Sequence, residues 1–267
     1  MKLKIVLPKS GPKPKYYTAY VGYIQKIFEA VGADITYDGK AKFNYFMMKI
    51  NDIDILIDFD NFHKIVLDYT HPYFKFQCTK ELLLNRPNRH SFSKISFYAW
   101  EQYYKLREAI NYKADADTII CMQKPRGAAV LRRNLVQKLL IKTYNDKAKV
   151  NFINNQEIFW ATINDCLVHV CVPGARNDIL DRGHLQAMAF GCCTISPKIP
   201  DCLAWNQELI SDVHYVICKD DYSDLLEKIE WCRENRSSCV EIGRNAKRLF
   251  EETSTPDKLV EWILLNI

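Results

Sequence analysis

Glycine and proline are scarce in this chain of 267 residues, at nine and ten. That excludes a collagen-like repeat and a low-complexity linker. No stretch comes near the roughly 20 consecutive apolar residues of a membrane span, and mean hydropathy is −0.24. The apolar run before Lys9 is too short for the core of a secretory signal, so the expected location is the cytoplasm, with no transmembrane segment. Several signatures are missing too: there is no G-x-G-x-x-G, no G-x-x-x-x-G-K-[ST] and no G-x-S-x-G. A dinucleotide-dependent enzyme, a P-loop enzyme and an α/β-hydrolase are each disfavoured.

Cysteine is not scarce, at ten residues, but no two are spaced C-x-x-C as in a zinc ribbon. Cys121, Cys166, Cys171 and Cys218 lie inside apolar runs. A chain this long needs no disulfide staples, so the cysteines are expected to be reduced and buried as small hydrophobes. Net charge is +5 and lies unevenly: residues 1–110 hold 17 Lys+Arg against 11 Asp+Glu, while residues 111–267 hold 20 against 21. The basic half leaves room for an anionic partner.

Hydrophobic spacing divides the chain into two α/β patterns. Residues 3–7, 34–37 and 53–59 read as strands. Residues 16–31 read as a helix closed by Gly32, and a helix-like linker precedes IDILIDF. HPYFKFQCTK (71–80) reads as a polar-aromatic loop, ELLL (81–84) as a strand and Ser93 to Asn111 as an aromatic-rich helix. A second pattern follows: strands at 118–122, 148–153, 167–172, 193–196 and 214–218, helices at 128–144, 156–165 and 182–190, and nearly continuous helix from 223. Alternation of this kind specifies parallel sheets covered by helices. The expected organisation is a small N-terminal domain, 1–112, on the acceptor side, and a nucleotide-sugar-binding domain with terminal helices, 113–267. These would be two Rossmann-like layers facing a cleft, with ligands beyond the carboxyl ends of the strands.

Two loops there are rich in chemistry. KPRG (124–127) follows a strand and opens a helix bearing Arg132 and Arg133. A helix N-terminus with guanidinium groups beside it suits anionic oxygens. PGARNDILDRGHLQAMAFGCCTISP (173–197) crowds Arg176, Asp178, Asp181, Arg182 and His184 into nine residues before an apolar helix. Burying such a cluster is costly unless a charged ligand meets it. Asp181 by itself fits a helix N-cap.

From Arg182 onward the chain resembles the C-terminal domain of sugar-nucleotide glycosyltransferases of the GT-B fold. It is most similar to the protein O-glucosyltransferase and capsule-associated glycosyltransferase family. The residues that carry the likeness are Arg182, CTIS (193–196), His214-Tyr215-Val216, Ser223-Asp224-Leu225 and Trp231, together with Arg126-Gly127 and Arg132 or Arg133. The likeness covers roughly residues 118–252. The spacing of the E-x7-E pair of retaining enzymes persists as Asp178-x7-Gln186, with both residues changed. The resemblance implies transfer of a sugar from a nucleoside-diphosphate donor, UDP-linked for instance, to an acceptor hydroxyl. It implies donor contacts from Arg126, Arg132, Arg133, Arg176, Asp178, Arg182, Gln186 and His214, and needs no metal or other cofactor if guanidinium groups neutralise the leaving diphosphate.

An inverting enzyme also needs a base at the acceptor. Asp58 and Asp60, at the end of IDILIDF, are the first candidates and His71 the next; a strand-end carboxylate that only caps a helix has the same appearance. The same D-F-D matches the metal-binding signature of GT-A transferases, in which carboxylates hold Mn²⁺ or Mg²⁺ on the diphosphate. A third reading is a non-catalytic nucleotide- or sugar-binding protein. The acceptor could be a glycan, a lipid-linked sugar or a modified DNA base. Phe92, Phe97, Tyr98, Trp100, Tyr103 and Tyr104 recur near helical spacing and fit a core better than a sugar-stacking platform.

Overall fold

A computed structural model describes residues 2–42, 45–59, 70–76, 89–92, 118–122, 129–150, 156–173, 180–199 and 207–267. The chain forms two compact units. The first comprises residues 1–97, 201–208 and 252–267, the second 98–200 and 209–251. A single division at residue 112 therefore does not describe the structure, because the last helix, α7 (Pro256–Leu265), belongs to the first unit. Trp262 is the reason: its ring meets Phe74 and His90 edge-on, at 5.3 and 5.7 Å between centroids.

The first unit is a six-stranded sheet in the order β2-β1-β3-β4-β5-β6. Its strands are β1 (Lys4–Leu7), β2 (Asp34–Tyr37), β3 (Tyr45–Ile50), β4 (Ile53–Asp58), β5 (Tyr73–Phe76) and β6 (Arg89–Phe92). Helix α1 (Pro14–Ala30) links β1 to its parallel neighbour β2. Pro14 starts the helix at the position where a missing N–H costs nothing. Gly32, at φ 72°, ends it, with Ala33 N–H on Phe28 O and Gly32 N–H on Glu29 O.

Three expectations for this half need correction. The sheet is mixed, not parallel, because the supposed helix-like linker contains β3, antiparallel to both β1 and β4. Its alternating burial is that of a half-buried strand, and Asn51 and Asp52, both at positive φ, form the two-residue turn into β4. The supposed loop 71–80 contains β5, wholly buried and parallel to β4 and β6. The aromatics that recur near helical spacing begin in a strand, since Phe92 ends β6. The strand expected at 81–84 and the helix expected at 93–111 lie outside the described residues.

The second unit is a four-stranded parallel sheet, β10-β9-β8-β7. Its strands are β7 (Thr118–Met122), β8 (Cys166–Cys171), β9 (Cys193–Ser196) and β10 (Val216–Ile217). Its helices are α2 (Val130–Tyr144), α3 (Gln156–Asp165), α4 (Arg182–Ala189), α5 (Leu225–Glu234) and α6 (Arg236–Thr253). Every residue of β8 and β9 is buried, as in a parallel sheet covered on both faces. Two expected strands are corrected: 214–218 shrinks to β10, and residues 148–150 are not in a strand, while 151–153 lie outside the described residues. Cys166, Cys171, Cys192, Cys193, Cys218, Cys232 and Cys239 are free thiols and buried.

Candidate functional site at the carboxyl edge of the second sheet

The parallel order puts the carboxyl ends of β7 to β10 at one edge, where ligands bind in open α/β sheets. The chain leaving β8 is held there by three side chains. Tyr222 OH donates to Cys171 O at 3.1 Å, Arg133 Nε to Val172 O at 3.0 Å, and an Arg132 Nη to Pro173 O at 3.1 Å. Three successive carbonyls are thus taken up by groups from α2 and from the turn before α5. Arg133 also reaches Asp181 Oδ2 at 3.4 Å, with both side chains near 10% exposed. Asp181 Oδ1 accepts from Gly183 N–H at 2.8 Å, so Asp181 is the N-cap of α4 as well. One carboxylate ties the start of α4 to α2.

Helix α4 is buried along Gly183–Ala189. Two residues of this buried run are polar. Gln186 is buried. His184, in the first turn, has 1% exposure, and neither ring nitrogen meets a hydrogen-bond partner among the described residues. Its only close aromatic neighbour among them is Tyr215, edge-on at 5.7 Å. Burial pushes the imidazole down to about 3, so it is neutral at physiological pH. At the end of β9, Ser196 Oγ is likewise buried and unpartnered among the described residues. Unsatisfied buried polar groups are rare in native proteins and ask for an explanation. Neither His184 nor Ser196 was among the expected donor contacts. His184 stood inside the charged stretch, but nothing in the pattern distinguished it from a core histidine.

The other expected site residues divide into three groups. Arg132, Arg133, Gln186 and the backbone of Arg182, the first residue of α4, are at or near this edge. His214 stands on the amino-terminal side of β10, where its Nδ1 accepts the Ile210 N–H at 3.0 Å and holds the 210–214 turn. Arg126, Arg176 and Asp178 lie outside the described residues, as does Asp60.

In the first unit Asp58 ends β4 as expected, but its carboxylate is 2% exposed. Oδ2 accepts from Lys75 Nζ at 3.2 Å and from Tyr73 OH. The β4–β5 register sets Asp58 opposite Lys75, and Lys75 itself is fully buried. His71 is exposed just before β5.

These features define the fold: an α/β chain of two units, the first built on a mixed six-stranded sheet and the second on a parallel, Rossmann-like one. Over 96% of this chain and 82% of its own, a glycosyltransferase from Rickettsia africae has a similar fold, with TM-score 0.53 and 10% identity. HepE from Anabaena, crystallised with UDP and glucose, aligns over 73% of this chain and 63% of its own at TM-score 0.46 and 9% identity. In sequence, 94 residues are 33% identical to uncharacterized protein 179R of invertebrate iridescent virus 6, covering 30% of this chain and 8% of that protein. A further match is to uncharacterized protein 035R of invertebrate iridescent virus 3, 40% identical over 77 residues, 26% of this chain and 7% of that protein. The chain matches less than a tenth of the length of these curated relatives. No family model matches it. Among the described residues no helix is long and apolar enough to cross a membrane.

Proposed function

We propose that the chain transfers a sugar from a nucleoside-diphosphate donor to an acceptor hydroxyl. The donor diphosphate would bind at the carboxyl edge of the second sheet. The observation that carries the reading is the construction of that edge. A loop pinned at three consecutive carbonyls leads into a buried helix N-terminus, and in its first turn stands a neutral imidazole without a hydrogen-bond partner among the described residues. A braced loop and an oriented helix dipole are what a diphosphate needs, since stabilising a leaving group electrostatically requires donors already in position.

In this reading Arg126, Arg176 and Arg182 neutralise the departing diphosphate. Arg132 and Arg133 hold the loop that presents them, and His184 and Ser196 offer polar atoms to the donor. No metal is required. The Asp58 oxygen that a GT-A-type metal would use already carries an ammonium and a phenol, which favours the metal-free alternative. Asp60 and His71 remain the candidates for the acceptor base. The same contacts leave little for Asp58 to do in proton transfer.

The test is a screen of nucleotide sugars in which product mass and released nucleoside diphosphate are measured with and without EDTA. Turnover that survives EDTA and falls about 100-fold or more in a folded Arg182→Ala variant is expected. EDTA-sensitive turnover would favour the GT-A reading, and donor binding without turnover a non-catalytic binding protein. A salt-independent acceptor reaction would remove DNA from the acceptor classes.

A further inference from the structure

The core of the second unit brings together three thiols that the sugar-transfer reading does not use. Cys193 opens β9, Cys232 lies in the last turn of α5 and Cys239 in the first turn of α6. Their sulfur atoms all lie within 4.8 Å of one another, and all three residues are buried. Around them the core is apolar, with Val168, Ile195, Ile229 and Ile242 among its members.

A close backbone contact creates the cluster. Gly191 and Gly243 meet so tightly that a Cβ on Gly243 would lie 2.2 Å from Gly191 O. Gly191 is two residues before Cys193, and Gly243 is one helical turn beyond Cys239. The absence of a side chain at Gly243 lets α6 approach the start of β9, and this sets Cys239 against Cys193. The α5–α6 corner supplies the third thiol: Cys239 N–H donates to Asn235 O, and Cys239 Sγ contacts Cys232 O at 3.5 Å.

We propose that Cys193, Cys232 and Cys239 form a structural site for one soft, thiophilic metal ion, copper(I) or zinc(II). The geometry fits. Metal–sulfur bonds of about 2.3 Å require sulfur–sulfur distances of about 3.8 Å at tetrahedral and 4.0 Å at trigonal angles. The observed spacing reaches these with a closure of about 1 Å or less. Thiolate ligands select such ions over hard cations. Three sulfurs in a dry apolar pocket suit trigonal copper(I), whereas zinc(II) would take a fourth ligand. Loading replaces S–H bonds by metal–sulfur bonds and releases the thiol protons to solvent, with no electron transferred.

Cys239 lies in the first turn of the 18-residue α6, where the N-terminal end of the helix favours negative charge. Because the pocket is closed, the ion would enter as the chain folds and would stabilise the folded state.

The test uses the whole reduced chain, purified without chelator, with metal content measured by mass spectrometry. It is then refolded anaerobically with copper(I) alone, or with cobalt(II) as a spectroscopic substitute for zinc(II). One ion per chain, a rise of several degrees in melting temperature on loading and a thiolate-to-cobalt charge-transfer band are expected. Retention of copper(I) without a cobalt band would assign the trigonal ion, and the band the zinc-type site. Cys239→Ala should weaken binding at least 100-fold, while Cys218→Ala, outside the trio, should leave it unchanged. Should Cys239→Ala not fold, chelator treatment of the unmodified chain must still lower its melting temperature. Absence of bound metal after purification together with no uptake of either ion on refolding would overturn the proposal. So would a disulfide within the trio.

Discussion

Arg133 and Asp181, 48 residues apart in the chain, form an ion pair at 3.4 Å that joins helix α2 to the N-cap of helix α4. The same guanidinium takes the carbonyl of Val172, so one side chain fixes both ends of the segment 172–181. Arg133 is therefore a positioning residue in the sugar-transfer reading. Arg133→Met should cost about 1.5–3 kcal/mol, the usual range for hydrogen bonds to charged groups. A urea midpoint shift with unchanged slope measures it. In a double-mutant cycle, Asp181→Asn in the Arg133→Met background should cost less than Asp181→Asn alone. Simple additivity of the two would mean that the pair does not couple.

Asp58 and Lys75 form a second, deeper pair. Removing one partner of a buried pair strands the other charge, at about 3–5 kcal/mol. Lys75→Met alone should therefore destabilise strongly, and Asp58→Asn added to it should recover part of the loss. Chemical denaturation of the two single variants and the double variant checks this. A double variant no more stable than either single one would contradict the account.

This pair also explains where the sequence misled. YFKF holds a lysine in mid-run, which breaks the apolar pattern of a central strand. The lysine is admissible only because Asp58 waits opposite it, a pairing between strands that no local pattern records. The strands β8 and β9 were legible because β-branched residues run through them, and α1 because its apolar residues recur at helical spacing up to Gly32. The strand β3 alternates as a strand should, but its antiparallel partner depends on the positive-φ turn at Asn51 and Asp52. The arginines and Asp181 could be read as a cluster, yet not which of them face carbonyls. His184 looked like its neighbours in the sequence, since burial is a property of the folded core. The three clustered cysteines are 46 residues apart at their widest, Cys193 to Cys239, with no spacing motif to reveal them.

His184 gives the chain a pH signature. Its folded value, about 3, lies below the ordinary 6.5. Between these limits the unfolded chain holds a proton that the folded imidazole does not. Stability is therefore full above about pH 6.5 and falls as pH drops, by up to about 1.4 kcal/mol per unit. His184→Leu should flatten the stability profile between pH 7 and 4. It should leave a smaller slope from His90, which burial also lowers. An unchanged profile in the variant would show that His184 is not the buried neutral group described.

Gly243→Ala separates helix propensity from packing. Alanine is better than glycine inside a helix by about 1 kcal/mol, but here its Cβ would collide with Gly191 O at 2.2 Å. The clash is backbone against side chain, with no flexible group to yield, and overpacking of this kind typically costs about 1–3 kcal/mol. A lower melting temperature is expected, and a higher one would contradict the close approach of α6 to the turn before β9.

The most direct measurement is a crystal of the protein soaked with UDP. The account predicts electron density for the diphosphate against the segments 123–133 and 174–186, at the N-terminus of α4. Diphosphate density beside Asp58 in the first unit, or anywhere else away from those two segments, would contradict it.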